Sequence, residues 1–272
     1  MTIIHKIILL AIVCLSLWSC TTPSERFVKK AKEFKFGNNI VNSGQFRHQI
    51  FFNQLEANSE QKIIHVYLDG DGTPWEKHRW ITDDPTARNP IILKLMVQDL
   101  SPAILLGRPC YYGLNRDQLC HYRYWTSHRY SSEIVSSMVK ALTKWMEKHD
   151  FTKIILIGYS GGGTLAMLMA PKMSHVDTVV TIAANLEIDA WTQLHEYSPL
   201  FGSLNPSDFA IPDKIKLIHF IGGQDRVVPV SIIKKIAKNN NHSIFIEYPQ
   251  FNHFCCWVKQ WPYILKIINL DN

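Results

Sequence analysis

Short apolar runs alternate with stretches of helical spacing along most of this chain. The runs Phe46–Phe52, Ile63–Leu68, Ala103–Leu106, Ile154–Ile157, Val176–Ala183, Ile215–Ile221 and Ser243–Tyr248 read as strands. Several are apolar at nearly every position, which predicts burial on both faces rather than on one. Between them, Asn89–Leu100, Gly163–Ala170, Ser231–Asn239 and Trp257–Leu270 carry helical patterns, the last with a kink expected at Pro262. The clearest helix is Ser131–His149, where Ile134, Val135, Met138, Val139, Leu142, Trp145 and Met146 fall on one face. Strands that alternate with helices predict an α/β fold with a mostly parallel sheet covered on both sides. In such sheets ligands sit at the carboxyl ends of the strands.

The length, 272 residues, suits one large α/β domain, and no repeat or linker divides it. A charged content of 19% and a hydrophobic content of 46% are those of a globular chain. The net charge of +6 is scattered without a Lys/Arg block, so nucleic acid is not the expected partner. Weak attraction to an anionic membrane surface stays open.

The first residues have a different character. Met1–Lys6 is short and basic, and Ile7–Leu17 is an apolar stretch too short to span a bilayer. It ends in Leu17-Trp18-Ser19-Cys20, which resembles a bacterial lipobox. That resemblance implies cleavage before Cys20, lipidation of its thiol and export to the cell envelope. The competing reading is an ordinary secretory signal cleaved nearby. The expected organisation is a signal over 1–19, a polar, Lys-rich tether over 20–39 and one domain over 40–272.

Cysteine usage suits an oxidising compartment. Beyond Cys14 and Cys20 remain Cys110, Cys120, Cys255 and Cys256, which allow three pairings. Cys110 with Cys120 is preferred because a short loop joins them. Cys255 and Cys256 are expected as buried free thiols, with a vicinal disulfide as the alternative. No metal-ligand spacing occurs among the 12 dispersed histidines, and no cofactor is implied.

The chemistry concentrates at Gly158-Tyr159-Ser160-Gly161-Gly162. A strand precedes this G-x-S-x-G turn and a helix follows it, the arrangement of a nucleophile elbow. A serine hydroxyl needs an adjacent base, and the base needs an orienting acid. The acid candidate is Asp225, in a glycine-rich turn after a strand, where a helix cap is the competing role. The base candidate is His253, on the loop after the last strand; His242 precedes its strand and His219 lies inside one. The backbone N–H of Gly161 is one expected oxyanion donor, and that of Asp71, in Asp69-Gly70-Asp71-Gly72, the other. A plain turn or a metal site are the rival readings of that segment, which lacks calcium-loop spacing.

Ser160, Asp225 and His253 occur in the order Ser…Asp…His, and over nearly its whole mature length the chain resembles the α/β-hydrolase superfamily. More narrowly it resembles exported bacterial α/β-hydrolase lipoproteins with a D/E-G-D-G turn, an R-P-C-x-Y segment and a W-T-S motif. Here these are Asp69-Gly70-Asp71-Gly72, Arg108-Pro109-Cys110-Tyr111-Tyr112 and Trp125-Thr126-Ser127. The chain departs from the superfamily's common H-G-x-G motif, since Asp69 replaces the histidine. The resemblance implies a serine hydrolase, esterase-like, that forms an acyl-enzyme on a small ester. A peptidase on exported peptides and a non-catalytic lipoprotein on a hydrolase scaffold are the alternatives. The segment Arg108–Tyr130 reads as a disulfide-pinned loop packed on the domain, or as a cleft lining with Tyr111, Tyr112, Arg123, Trp125 and Arg129. Asn185–Pro212 is the expected short cap.

Overall fold

Six of the apolar runs lie side by side and parallel in a computed structural model that describes residues 21–53, 62–77, 79–233 and 242–270. The strands are β1 (Gly37–Asn42), β2 (Arg47–Phe52), β3 (Ile63–Leu68), β4 (Trp75–Glu76), β5 (Trp80–Ile81), β6 (Ala103–Leu106), β7 (Lys153–Tyr159), β8 (Val176–Ile182), β9 (Lys216–Gly222) and β10 (Ser243–Tyr248). The main sheet has the order β1-β2-β6-β3-β7-β8-β9-β10, parallel from β6 to β10 and antiparallel at the β1-β2 edge. β4 and β5 form a separate hairpin.

Beyond Lys153, every residue of β7 is buried. Alternate side chains point to opposite faces, so both faces of the sheet are covered, as the unbroken apolar run predicts. The helices are α1 (Pro23–Glu33), α2 (Ile91–Met96), α3 (Ser132–Met146), α4 (Gly161–Met169), α5 (Ile188–Leu194), α6 (Val230–Ile233) and α7 (Trp257–Leu270). The predicted apolar face of α3 is buried apart from Val139, which is half-buried. α7 runs through Pro262 as one element and buries Trp257, Trp261, Ile264 and Ile268. Among the described residues no helix is long and apolar enough to cross a membrane.

Strand order fixes where a site can form. The chain leaves β3 toward β6 on one side and leaves β7 toward β8 on the other. The connections diverge between β3 and β7, which opens a crevice at their carboxyl ends. The loop starting at Asp69 and the turn at Ser160 both begin there.

Several expectations need correction or completion. The stretch expected as a tether is folded: Pro23–Glu33 is a helix that buries Phe27 and Ala31, and Gly37–Asn42 is a sheet strand. The helical pattern dominated by lysine hid the two apolar residues, one turn apart, that dock it. The helix expected over Asn89–Leu100 is short, because Asp99 turns inward to accept hydrogen bonds from His65 Nδ1 and Tyr67 Oη, each at 2.6 Å. Cys255 and Cys256 are bonded to each other rather than free, and they lie at the surface, so packing as small hydrophobes does not apply to them. Cys110 and Cys120 are paired, with sulfurs 2.05 Å apart. The Arg108–Tyr130 loop packs inward: Tyr111, Tyr112, Trp125 and Arg129 are buried, and Arg123 alone of the five stays exposed. The signal, Cys20 and most of the helix expected over Ser231–Asn239 lie outside the described residues, which include only Val230–Ile233 of the latter.

Candidate active site

Ser160 stands at the tip of a sharp turn between β7 and α4. Its backbone is at φ 51° and ψ −124°, a conformation that strains any residue with a Cβ by about 1–3 kcal/mol. The Ser160 N–H donates to the carbonyl of Ile182 at 2.9 Å, and its carbonyl accepts from Gly163 N–H at 2.9 Å. Glycines make the turn possible. A Cβ on Gly158 would stand 2.4 Å from the carbonyl of Gly162, and one on Gly162 would stand 2.1 Å from the Leu68 oxygen. Small residues here let β7, α4 and the end of β3 approach closer than side chains permit.

Asp225 and His253 reach the same point from the ends of β9 and β10. His253 Nε2 is 3.1 Å from Ser160 Oγ, and His253 Nδ1 is 2.8 Å from Asp225 Oδ2. Asp225 is fully buried, and its other oxygen accepts the N–H groups of Val227 and Val228 at 2.8 Å each. A carboxylate held at both oxygens cannot rotate away, so it fixes the imidazole with Nδ1–H toward itself and Nε2 free to accept from the serine. The histidine loop is pinned as well. The carbonyl of His253 accepts from Tyr159 Oη at 2.8 Å and from Trp257 Nε1 at 3.2 Å. The other histidines weighed lie elsewhere. His219 is buried in β9 with Nδ1 2.7 Å from Thr181 Oγ1, and burial lowers its pKa to about 3. His242 faces Asp213 at 3.4 Å.

The segment after β3 wraps the elbow. A Cβ on Gly70 would touch Ser160 Cβ at 3.4 Å, and one on Gly161 would stand 2.1 Å from Asp71 Oδ1. Asp71 is held by four side chains. Oδ1 takes Arg108 Nη2 at 2.8 Å, Oδ2 takes Arg129 Nη1 at 3.0 Å, Tyr130 Oη donates to the carboxylate at 2.6 Å, and Tyr111 Oη donates to the Asp71 carbonyl at 3.0 Å. Burial would raise the Asp71 carboxyl, but Arg108, Arg129 and the Tyr130 hydroxyl outweigh it and hold the pKa below its ordinary value. No hydrogen bond from the N–H of Asp71 or of Gly161 occurs among the described residues, so both donors are unspent beside Ser160. Asp69 plays a different part: burial raises its carboxyl to about 6, and its oxygens accept Gly70 N–H and Tyr112 Oη. Sequence reasoning named Asp71 but missed its Arg108, Arg129 and Tyr130 clamp. The available signal was two arginines and a tyrosine at the two ends of the segment Arg108–Tyr130, which the Cys110–Cys120 pairing folds back on itself.

A cleft of about 580 Å³ lies beside the histidine, between Gly223–Val227 and Asn252–Phe254. The segment expected as a cap is modest. Its helix α5 leans on the acid loop, with Trp191 Nε1 donating to the Val227 carbonyl at 2.7 Å. Among the described residues no cluster of His, Cys, Asp and Glu could hold a metal ion.

Residues 111–214 match the family model for the alpha/beta hydrolase fold. No curated protein matches the chain. Among solved structures it is similar to Est1E from Butyrivibrio proteoclasticus, at 14% identity and a TM-score of 0.60 over 86% of this chain and 98% of that one. An esterase from Pyrococcus furiosus aligns at 13% identity and a TM-score of 0.57, over 88% of this chain and 92% of its own. A lidless α/β serine hydrolase from Xanthomonas campestris aligns at 10% identity and 0.55, over 86% and 94%. These likenesses concern the fold. With its sheet order, its elbow and the match over residues 111–214, the chain has the α/β-hydrolase fold.

Proposed function

We propose that the protein is a serine hydrolase that cleaves a small carboxylic ester through an acyl-enzyme, with Ser160, His253 and Asp225 as its triad. The observation that carries this reading is the unbroken relay Ser160 Oγ, His253 Nε2, His253 Nδ1, Asp225 Oδ2, with steps of 3.1 and 2.8 Å. Ser160 Oγ attacks the ester carbonyl as His253 takes its proton. The negative charge on the tetrahedral oxygen meets the N–H groups of Gly161 and Asp71. The guanidinium charges of Arg108 and Arg129 offset the Asp71 carboxylate, so that its charge does not repel the oxyanion. His253 returns the proton to the leaving alcohol, and water then repeats the sequence to free the acid.

The same proposal has the protein exported and held at the cell envelope by lipid on Cys20, on the strength of the sequence Leu17-Trp18-Ser19-Cys20. Two acyl chains or more are needed for stable anchoring.

The test is a fluorophosphonate probe on folded protein. Labelling at Ser160, absent in Ser160→Ala, is the expected result. An unlabelled Ser160 in protein with intact near-UV dichroism overturns the reading. Replacing Cys20 with serine should abolish incorporation of a clickable palmitate analogue in cells; undiminished incorporation overturns the anchor.

A further inference from the structure

The hairpin β4–β5 rises from the same segment that supplies Asp71, yet the catalytic chemistry does not use it. It presents large apolar side chains to solvent: Trp75, Trp80 and Ile81 are 43%, 61% and 38% exposed, beside an exposed Glu76 that pairs with Arg88. Cations accompany them. Lys77 and Arg79 are exposed, and the Arg79 guanidinium lies 5.2 Å from the centre of the Trp80 ring. Tryptophan beside Lys and Arg is the composition of a bilayer interface, where the indole sits among headgroups and the cations meet phosphates.

The hairpin is firmly mounted. Its base is closed by Thr82 N–H to the Pro74 carbonyl at 3.1 Å, and Trp125 Nε1 donates to the Thr82 carbonyl at 3.1 Å. Thr73 N–H donates to the Pro85 carbonyl at 2.8 Å, two residues from Asp71 and its contact with the elbow.

The start of α1 is fixed to this same segment. Ser24 N–H and Oγ donate to the Asp84 carboxylate at 2.8 and 2.9 Å, Ser24 Oγ meets Thr86 Oγ1 at 2.8 Å, and Gly113 N–H donates to Ser24 Oγ at 2.8 Å. Thr22 caps the helix reciprocally with Glu25. Asp84 is three residues from Ile81, and Ser24 three from Thr21, so each pair is separated by at most about 11 Å of chain. Cys20 immediately precedes Thr21. A lipid there would be joined to the side of the molecule that carries the hairpin by only a few residues of chain.

From these placements we propose that Trp75, Trp80 and Ile81 dock the catalytic rim onto a phospholipid bilayer, so that the site takes esters presented at a membrane surface. The proposal rests on the hydrolase and lipid-anchor readings above for its substrate, and on the position of Ser24 and the exposed indoles for its geometry. A bilayer is the favoured occupant because lipid on Cys20 would hold the start of α1, and the segment fixed to it, near one, and because Lys77 and Arg79 lie between the two indoles.

The test uses the full lipidated chain reconstituted in vesicles of phosphatidylethanolamine and phosphatidylglycerol, with and without bromine in the acyl chains. Tryptophan fluorescence should be quenched by the brominated lipid, and Trp75→Ser/Trp80→Ser should lose most of that quenching. The same variant should hydrolyse an ester embedded in the vesicles about tenfold more slowly, and a soluble p-nitrophenyl ester at the wild-type rate. Ile81 pairs with Trp75 across the hairpin, and Ile81→Lys should act alike if the double variant folds poorly. Equal quenching in wild type and variants overturns the docking. So does a dimer in detergent that Trp80→Ser abolishes, without any quenching by lipid, since a second copy would then be the occupant. Quenching that follows the variants while no ester is hydrolysed and Ser160 is never labelled would sustain the docking and sink the hydrolase reading alone.

Discussion

The carboxylate of Asp71 occupies the place where a side chain on Gly161 would begin: Asp71 Oδ1 is 2.1 Å from that position. The residue after the nucleophile is therefore glycine for a reason beyond the sharpness of the turn. The close approach presses the second loop onto the elbow, and in the proposed mechanism the N–H groups of Gly161 and Asp71 are the oxyanion donors. Gly161→Ala must push Asp71 away. Loss of one oxyanion donor costs on the order of 10² to 10³ in kcat. Steady-state rates on p-nitrophenyl acetate should fall by that order while KM changes little.

In the proposed mechanism Arg129 acts through Asp71, as a positioning residue. Arg129→Ala should reduce kcat about tenfold with KM unchanged, since a buried hydrogen bond to a charged group contributes about 1.5–3 kcal/mol. Arg129→Lys should recover part of it, because one donor suffices for Asp71 Oδ2, while the bond from Arg129 Nε to the Thr126 carbonyl at 2.8 Å is lost. Equal losses for the alanine and lysine variants, or a change confined to KM, would show that Arg129 does not position the donor.

Asp225→Asn should leave the fold intact and lower kcat by about 10⁴, because an amide can donate to His253 Nδ1 and favour the wrong tautomer. The signature is a loss of turnover with unchanged thermal midpoint. A variant that retains activity would show that His253 takes its orientation from Tyr159 and Trp257 contacts alone.

Asp69 gives a pH dependence of stability. Burial, opposed by the Gly70 N–H, Arg108 and the Tyr112 hydroxyl, raises its folded pKa to about 6, against about 3.9 for a free aspartate. A raised folded value means that the protonated acid favours the fold. That contribution is complete below the unfolded value and is lost as pH rises through about 6, by an amount on the order of 3 kcal/mol. Asp69→Asn should flatten the difference in urea midpoint between pH 4.5 and pH 8. An identical pH profile in the variant would count against the shift.

The N-terminal helix should be part of the cooperative unit. Ser24→Ala removes the three hydrogen bonds of the buried Ser24 Oγ, with Asp84 Oδ1, Thr86 Oγ1 and Gly113 N–H, at a cost of about 1–3 kcal/mol. The thermal midpoint should fall by about 2–8 °C. A midpoint unchanged in Ser24→Ala would mean that the helix frays independently of the domain.

The amino-acid sequence alone determined the α/β class, the elbow and the chain order of the three relay residues. Each of these depends on local signals: apolar runs buried on both faces, glycines where the backbone must crowd, and polar residues at strand ends. Where Asp225 and His253 meet Ser160 could be anticipated because strand ends converge in a parallel sheet. The tertiary structure alone decided what surrounds them. Arg108, Arg129 and Tyr130 lie far along the chain from Asp71, and only closure of their loop over the β3 end converts two arginines into a clamp. The helix Pro23–Glu33 was hidden for a related reason. Its lysines dominate its composition, while its place in the fold rests on Phe27, Ala31 and a serine whose partners stand about sixty residues and more away. Hydrogen bonds and ion pairs between distant residues leave no period in the sequence, so their partners appear only when the chain folds.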